Sequence, residues 1–215
     1  MPRTRILLAD DHRLLIEACV TLLEPEFEVV GIVTDGQALL PKAVALRPDV
    51  IVLDIGMPLL NGLDAGRQLK HSMAGVKLIF LTMNQDPDLA KEALALGASG
   101  FLLKTSAARE LPQAIRTALR GETYVTSQAS QRMAESFVRG DDRAASSELT
   151  SRQREVLQLL AEGCTMKEAA GVLHVTARTV AFHKYRVMQQ FRLKSNAELI
   201  QFAIEQRLTI GAFHR

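Results

Sequence analysis

A repeated alternation across the first 120 residues constrains this chain more than any other feature. Short apolar runs recur, each closed by a polar residue and followed by a stretch of helical period. They are Ile6-Leu7-Leu8-Ala9, Val29-Val30-Gly31-Ile32-Val33, Val50-Ile51-Val52-Leu53, Val76-Lys77-Leu78-Ile79-Phe80-Leu81 and Gly100-Phe101-Leu102-Leu103. Runs this short, mostly aliphatic and without a polar face, describe strands covered on both sides, as in a parallel sheet. Between them, Leu14, Leu15, Ala18, Cys19, Leu22 and Leu23 share one helical stripe, and Leu111, Ile115 and Leu119 share another. Strand and helix alternating in this way predict a doubly wound α/β domain with a five-stranded parallel sheet.

The pattern ends near residue 122. From Thr126 to Ser147 the composition turns to Ser, Gln, Ala and mixed charge; 131–138 can form a helix, and Gly140-Asp141-Asp142 stops it. The last third reads as helices near 150–162, 166–173, 177–191 and 196–206. Thr150 with Gln153, Thr165 with Glu168 and Ser195 with Glu198 fit the capping box, Thr176 is a further N-cap, and Gly163 fits a helix C-terminus. The second and third helices are separated only by His174-Val175-Thr176, the spacing of a helix-turn-helix. The expected organisation is an α/β domain over 1–122, a partly helical linker over 123–147 and a small all-α four-helix domain over 148–210.

Charge divides along the same line. Residues 1–125 carry 13 Lys and Arg against 15 Asp and Glu, whereas 147–215 carry ten against six. No acid lies between Glu168 and Glu198, while Arg178, Lys184, Arg186, Arg192 and Lys194 do. A basic module behind an acidic one points to a polyanionic partner for the second. At 47% hydrophobic and 23% charged residues the chain can bury a core, which excludes a disordered tail. No apolar run is long enough to span a bilayer, the N-terminus lacks a secretory pattern, and Cys19 and Cys164 cannot form a metal cage alone. A soluble, cytoplasmic protein with reduced thiols is expected.

In an open α/β sheet the site lies beyond the carboxyl ends of the strands. The first strand ends in Asp10-Asp11, the third in Asp54, the fourth in Thr82 and the fifth in Lys104. Three converging carboxylates repel one another unless a cation joins them, and oxygen-only ligands select a hard ion, Mg2+ first. One carboxylate can then act as nucleophile toward a phosphoryl group, with the ammonium and hydroxyl on the phosphoryl oxygens. Asp54, alone at the end of the central strand, is the candidate. Singly, each residue has a plainer explanation: Asp11 or Thr82 as a helix cap, Lys104 as a solvated cation. Together, four polar ends on one edge favour the site. His12 and His71 have no partner at metal-ligand spacing and are read as surface residues.

These residues, with Asp54-Ile55-Gly56-Met57-Pro58, Asn61-Gly62, Leu81-Thr82-Met83 and Gly97-Ala98-Ser99-Gly100-Phe101-Leu102-Leu103-Lys104, resemble a response-regulator receiver domain, a flavodoxin-like fold. The resemblance implies that Asp54 accepts a phosphoryl group from a sensor histidine kinase, with Thr82 and Lys104 assisting. It also implies that Asp10, Asp11, Asp54 and the backbone carbonyl of Gly56 hold Mg2+. Thr82 and Phe101 match the family's switch residues, the hydroxyl moving toward the phosphate and the ring turning inward on phosphorylation. Gly56 and Asn84 stand where family members vary in how easily water reaches the phosphoryl group, which leaves its lifetime open.

The C-terminal pattern, from Leu149-Thr150-Ser151-Arg152-Gln153-Arg154-Glu155-Val156-Leu157 through Lys167-Glu168-Ala169-Ala170, Thr179-Val180 and His183 to Leu193, resembles the LuxR-type helix-turn-helix. A receiver joined to this module is the NarL/FixJ class of two-component response regulator. Its third helix buries Val180, Val187, Met188 and Phe191 and presents Arg178, Ala181, Phe182, Tyr185 and Gln189 to a major groove. Lys167, Arg178, Thr179, His183, Lys184 and Arg186 suit phosphates. Ala181, where the family often has lysine, and the large Phe182 and Tyr185 predict less dependence on guanine contacts; packing against neighbouring helices is the alternative for the two aromatics. The last helix, with Ala197, Ile200, Gln201 and Ile204, matches the family's dimer contact, which implies a homodimer on paired half-sites of double-stranded DNA. The expected function is transcription regulation switched by phosphorylation of Asp54. A receiver serving as a phosphate-independent protein-interaction platform is the alternative. A Mg2+-dependent phosphatase would need a general acid near the nucleophile, and position 56 is glycine.

Overall fold

The computed structural model describes residues 3–57, 59–138, 149–173, 175–206 and 208. Pro58, His174, the last nine residues of the expected linker (139–147), Glu148 and positions 207, 209 and 210 lie outside them. The described elements are β1 (Arg5–Ala9), α1 (Arg13–Leu23), β2 (Glu28–Val33), α2 (Gly36–Leu46), β3 (Val50–Asp54), α3 (Gly62–Ser72), β4 (Lys77–Thr82), α4 (Pro87–Ala95), β5 (Gly100–Leu103), α5 (Ala107–Leu119), β6 (Tyr124–Val125), α6 (Ser127–Val138), α7 (Ser151–Ala161), α8 (Met166–Val172), α9 (Ala177–Gln190) and α10 (Asn196–Glu205). The chain divides between Glu135 and Ser136 into two compact units.

In the first unit the strands form one parallel sheet in the order β2-β1-β3-β4-β5-β6. The order reverses at β1, so the crevice of this doubly wound sheet opens beyond the ends of β1 and β3. The sheet has six strands rather than the five expected. In the sixth, Tyr124 pairs with Gly100 and Val125 with Phe101. Two residues are too few to carry a periodicity, and only the neighbouring β5 makes them a strand.

Strands β3, β4 and β5 are buried almost throughout, as their apolar runs predict. Strand β2 departs from this because it is the sheet edge, and Ile32 is 45% exposed. The stripe of α1 is rotated from the expected one: Ile16, Cys19 and Leu23 are buried, whereas Leu14 is 82% exposed. Leu14 and Ala18 lie on the helix flank turned from the sheet. On α5, Leu111 and Ile115 are buried with Ala107, Ala114 and Ala118, and Leu119 is exposed.

The second unit is helical with two small clusters. Val156, Ala169, Ala170 and Val180 form one; Leu157, Val187, Leu199, Ala203 and Leu208 form the other. Phe191 and Phe202 stack beside the second, centroids 4.4 Å apart. Thr150–Gln153 and Thr165–Glu168 make complete capping boxes, and Thr176 accepts from the Thr179 N–H. Ser195 completes only half of its box: its hydroxyl accepts from the Glu198 N–H, but the Glu198 carboxylate accepts from the Lys194 N–H at 2.8 Å. Each cap contributes about 0.5–2 kcal/mol. Gly163 takes φ +95 just past α7, the left-handed geometry that ends a helix.

Candidate functional site

The edge beyond β1, β3, β4 and β5 is an acid pocket built by the sheet register. Asp10 follows β1, and its N–H donates to the Val33 carbonyl at 3.1 Å. Asp54 ends β3, and the next N–H, that of Ile55, donates to Leu81 at 3.0 Å. Lys104 follows β5, and its N–H donates to the Thr82 carbonyl at 2.8 Å. Asp10, Asp54, Thr82 and Lys104 are all buried. The Lys104 ammonium donates to Asp10 Oδ1 at 2.9 Å and lies 2.7 Å from Asp10 Oδ2 and 3.0 Å from Asp54 Oδ2. The extended side chain thus finds two buried carboxylates, which rules out the plainer alternative of a solvated cation. Thr82 does not cap α4: its Oγ1 accepts from the Asn84 N–H at 3.0 Å, and Asp86 caps the helix. Nor does Asp11 cap α1, whose N-cap is His12.

The Asn61-Gly62 pair has a physical reason. Asn61 caps α3 by accepting from the Asp64 N–H at 2.9 Å. Gly62 packs so closely on the end of β3 that a Cβ there would stand 2.1 Å from the Asp54 carbonyl oxygen. The loop thus folds back over the strand end that carries the acceptor.

Burial raises the pKa of Asp54 above the ordinary carboxylate value; the Lys104 ammonium and a hydrogen bond from the Gly56 N–H pull it down, and Asp10 adds to the rise. Asp10, Asp11 and Asp54 bring their carboxylates to one place, with the Lys104 ammonium beside Asp10 and Asp54. Such a set of oxygen donors fits a hard divalent cation. Phe101 is buried at 1% exposure.

Sequence reasoning missed the neighbours of His12. Its Nδ1 lies 3.0 Å from Asp10 Oδ1, 3.0 Å from Asp11 Oδ1 and 3.2 Å from Lys104 Nζ, so the residue is exposed, as expected, but also borders the pocket. The only signal in the chain was its adjacency to the acidic pair.

In the helical unit, Arg178, Tyr185 and Gln189 are exposed on α9 and Ala181, Phe182 and Arg186 are half-buried; Lys167 is exposed on α8. Thr179, His183 and Lys184, expected among the phosphate contacts, are buried instead. Val180, His183, Lys184 and Val187 follow one another at helical spacing, so the two basic residues lie on the stripe that Val180 and Val187 turn into the core. Thr179 is drawn to the cap, its hydroxyl 2.9 Å from that of Thr176. On α10, Leu199 and Ala203 are buried while Ala197, Ile200, Gln201 and Ile204 are exposed.

Residues 6–116 match the response regulator receiver domain, and residues 147–203 match the luxR family of bacterial regulatory proteins. The chain is a LuxR-type response regulator. Among its relatives is the oxygen regulatory protein NreC of Staphylococcus carnosus, 33% identical over 213 residues, covering 95% of this chain and 98% of the relative. Among solved structures, RcsB from Salmonella enterica serovar Typhimurium, bound to a promoter in the presence of the phosphomimetic BeF3-, superposes with a TM-score of 0.62 at 26% identity, covering 94% of this response regulator and 99% of that chain. A LuxR-family response regulator from an Aurantimonas species gives 0.61 at 31% identity, over 63% of this chain and 99% of that one. The response regulator is a two-component transcription regulator with a DNA-binding domain. Among its described residues no helix is long and apolar enough to cross a membrane.

Proposed function

We propose that Asp54 is the phosphoryl acceptor and that its modification switches sequence-specific DNA binding in the cytoplasm. The observation that carries this reading is the buried Lys104 ammonium, held by both Asp10 and Asp54. A carboxylate oxygen of Asp54 forms the P–O bond as the P–N bond to the sensor kinase's phosphohistidine breaks, and the released imidazole takes up a proton. Lys104 and Thr82 bind the phosphoryl oxygens. Asp10, Asp11, Asp54 and the Gly56 carbonyl would hold Mg2+, which when bound would supply charge neutralisation between acceptor and donor. Gly56 supplies no side chain beside the acceptor to act as general acid.

Thr82 lies in β4 beside β5, and Phe101 pairs with Phe80 across that boundary. A hydroxyl drawn toward the phosphate therefore pulls on the strand pair that carries the aromatic switch. The receiver core spans 1–122 and its sheet is extended by β6 at the start of the 123–147 segment, which leads to the DNA-binding domain at 148–210. On DNA, Arg178, Ala181, Phe182 and Tyr185 meet the major groove, Lys167 and Arg186 suit phosphates, and Ala197, Ile200, Gln201 and Ile204 form the contact of a homodimer on paired half-sites.

The test is a selection of double-stranded DNA fragments by the purified chain with Mg2+, with and without acetyl phosphate, beside Asp54→Ala. Enrichment of a symmetric motif only with the phosphodonor, lost in the variant, is the expected result. Equal enrichment in all three conditions would defeat the phosphate switch and favour a partner-controlled receiver. Ala181→Lys is expected to move the preferred motif toward guanine.

A further inference from the structure

We propose that the two-residue strand β6 carries the phosphorylation of Asp54 from β5 to helix α6, and that Tyr124 is the positioning residue that clamps it to β5. The proposal rests on reading Asp54 as the phosphoryl acceptor. Lys104 directly follows β5, and its ammonium lies 3.0 Å from Asp54 Oδ2. Joining a phosphoryl group to that carboxylate replaces the partner of the ammonium with oxygens farther out. Lys104, and the strand end that bears it, then adjust to the new partner.

Strand β6 lies along the other side of β5. The Tyr124 N–H donates to the Ser99 carbonyl and the Thr126 N–H to the Phe101 carbonyl, each at 3.1 Å. Phe101 therefore pairs with Phe80 on one side and with Val125 on the other. Thr126 already belongs to the start of α6, since its carbonyl accepts from the Ser130 N–H at 2.9 Å. Thr126 and Ala129 are both buried, so the first turn of α6 is seated on the protein and not merely trailing from it. No loop separates β6 from α6. A displacement of β5 thus reaches the helix through backbone hydrogen bonds alone.

A strand of two residues needs more than its own ladder to stay at a sheet edge. The Tyr124 side chain supplies it. The ring packs on the core cluster that includes Leu111, Ala114 and Ile115 of α5, and the hydroxyl donates to Glu110 Oε2 at 3.0 Å. Backbone bonds to β5 and a side-chain bond to α5 fix the residue from two directions. The competing route runs along α5 and through the turn at Gly121, φ +84, and does not need the phenol.

Amide exchange read by NMR on the full chain tests the clamp, with and without beryllofluoride and Mg2+ as a stable stand-in for the phosphoryl group. Fluorine NMR reports how much of it is bound. Tyr124→Phe, Glu110→Leu, Glu110→Gln and Asp54→Ala are compared with the wild type. In the wild type the Tyr124, Thr126 and Ser130 amides are expected to change exchange rate together, by about fivefold or more, the low end of coupling between distant sites. In Tyr124→Phe and Glu110→Leu the same amides are expected to exchange about tenfold faster in both conditions, the scale of losing a charge-assisted hydrogen bond, and to lose their response to beryllofluoride while still binding it. Glu110→Gln keeps an acceptor for the phenol and is expected to keep the response. Faster exchange in Tyr124→Phe with the wild-type response intact would overturn the proposal, because the clamp would then be structural only and α5 the route. A wild type that binds beryllofluoride with these amides unmoved overturns it equally and leaves the acceptor reading standing. If the wild type takes up neither beryllofluoride nor phosphate from acetyl phosphate, or Asp54→Ala responds as the wild type does, the acceptor reading fails and the proposal with it.

Discussion

Replacing Lys104 with methionine, close in length and without charge, tests the electrostatic account of the pocket. The ammonium lies 2.7 Å from Asp10 Oδ2 and 3.0 Å from Asp54 Oδ2, with all three side chains at most 6% exposed. At an effective dielectric of 20 each contact represents a gross attraction of about 5–6 kcal/mol, most of it offset by the desolvation of three charges. Removing one partner of such a group leaves the other charges buried and uncompensated, which costs about 3–5 kcal/mol. For a unit of this size that corresponds to a fall of about 10–20 °C in Tm. The assay is thermal unfolding of the full chain by far-UV circular dichroism in EDTA, followed at the transition that responds to Mg2+. Saturating Mg2+ should stabilise Lys104→Met more than the wild type, because the cation enters a pocket with one more uncompensated negative charge. A variant at least as stable as the wild type in EDTA would refute the reasoning and show that burying Lys104 costs more than its pairing returns.

Gly62→Ala places a Cβ 2.1 Å from the Asp54 carbonyl oxygen, against backbone that cannot step aside without moving the acceptor. A loss of about 1–3 kcal/mol is expected in urea unfolding, with slower phosphorylation by acetyl phosphate. Burial pushes the Cys19 thiol up to about 11, with Asp10 adding to the rise, whereas Cys164 is only half-buried. Iodoacetamide at pH 8 should therefore modify Cys164 well before Cys19 in the native chain and both at similar rates in urea, as read by mass spectrometry. The Glu168 carboxyl is held below its ordinary value by the N–H and hydroxyl of Thr165. Its capping contribution is thus complete above the ordinary glutamate range and is lost as pH falls through the lowered folded value. Amide exchange at the start of α8 should speed up on acidification in the wild type and lose that pH dependence in Glu168→Gln.

Much of the fold was legible because its signals are local. The strands of the sheet core were placed to within about a residue, and the hydroxyls at Thr150, Thr165 and Thr176 marked three helix starts correctly. The polar residues closing β1, β3, β4 and β5 were also legible, since the edge on which they meet follows from parallel pairing. Ser195 shows where local reasoning stops. A glutamate three residues on has two backbone N–H groups within reach, and Glu198 takes that of Lys194.

Thus the order of residues settled the α/β class, the helical character of the second unit and the set of carboxylates at the sheet edge, because strand alternation, helical period and capping act over a few neighbours. Only the tertiary structure decided that Tyr124-Val125 is a strand, that His183 and Lys184 face the core side of α9, and that His12 borders the acid pocket. Each of these depends on groups distant in the chain: His12 meets Lys104 across 92 residues, and β6 exists only against β5. A side chain's partners are set by where packing brings such segments together, and sequence spacing holds no record of that distance.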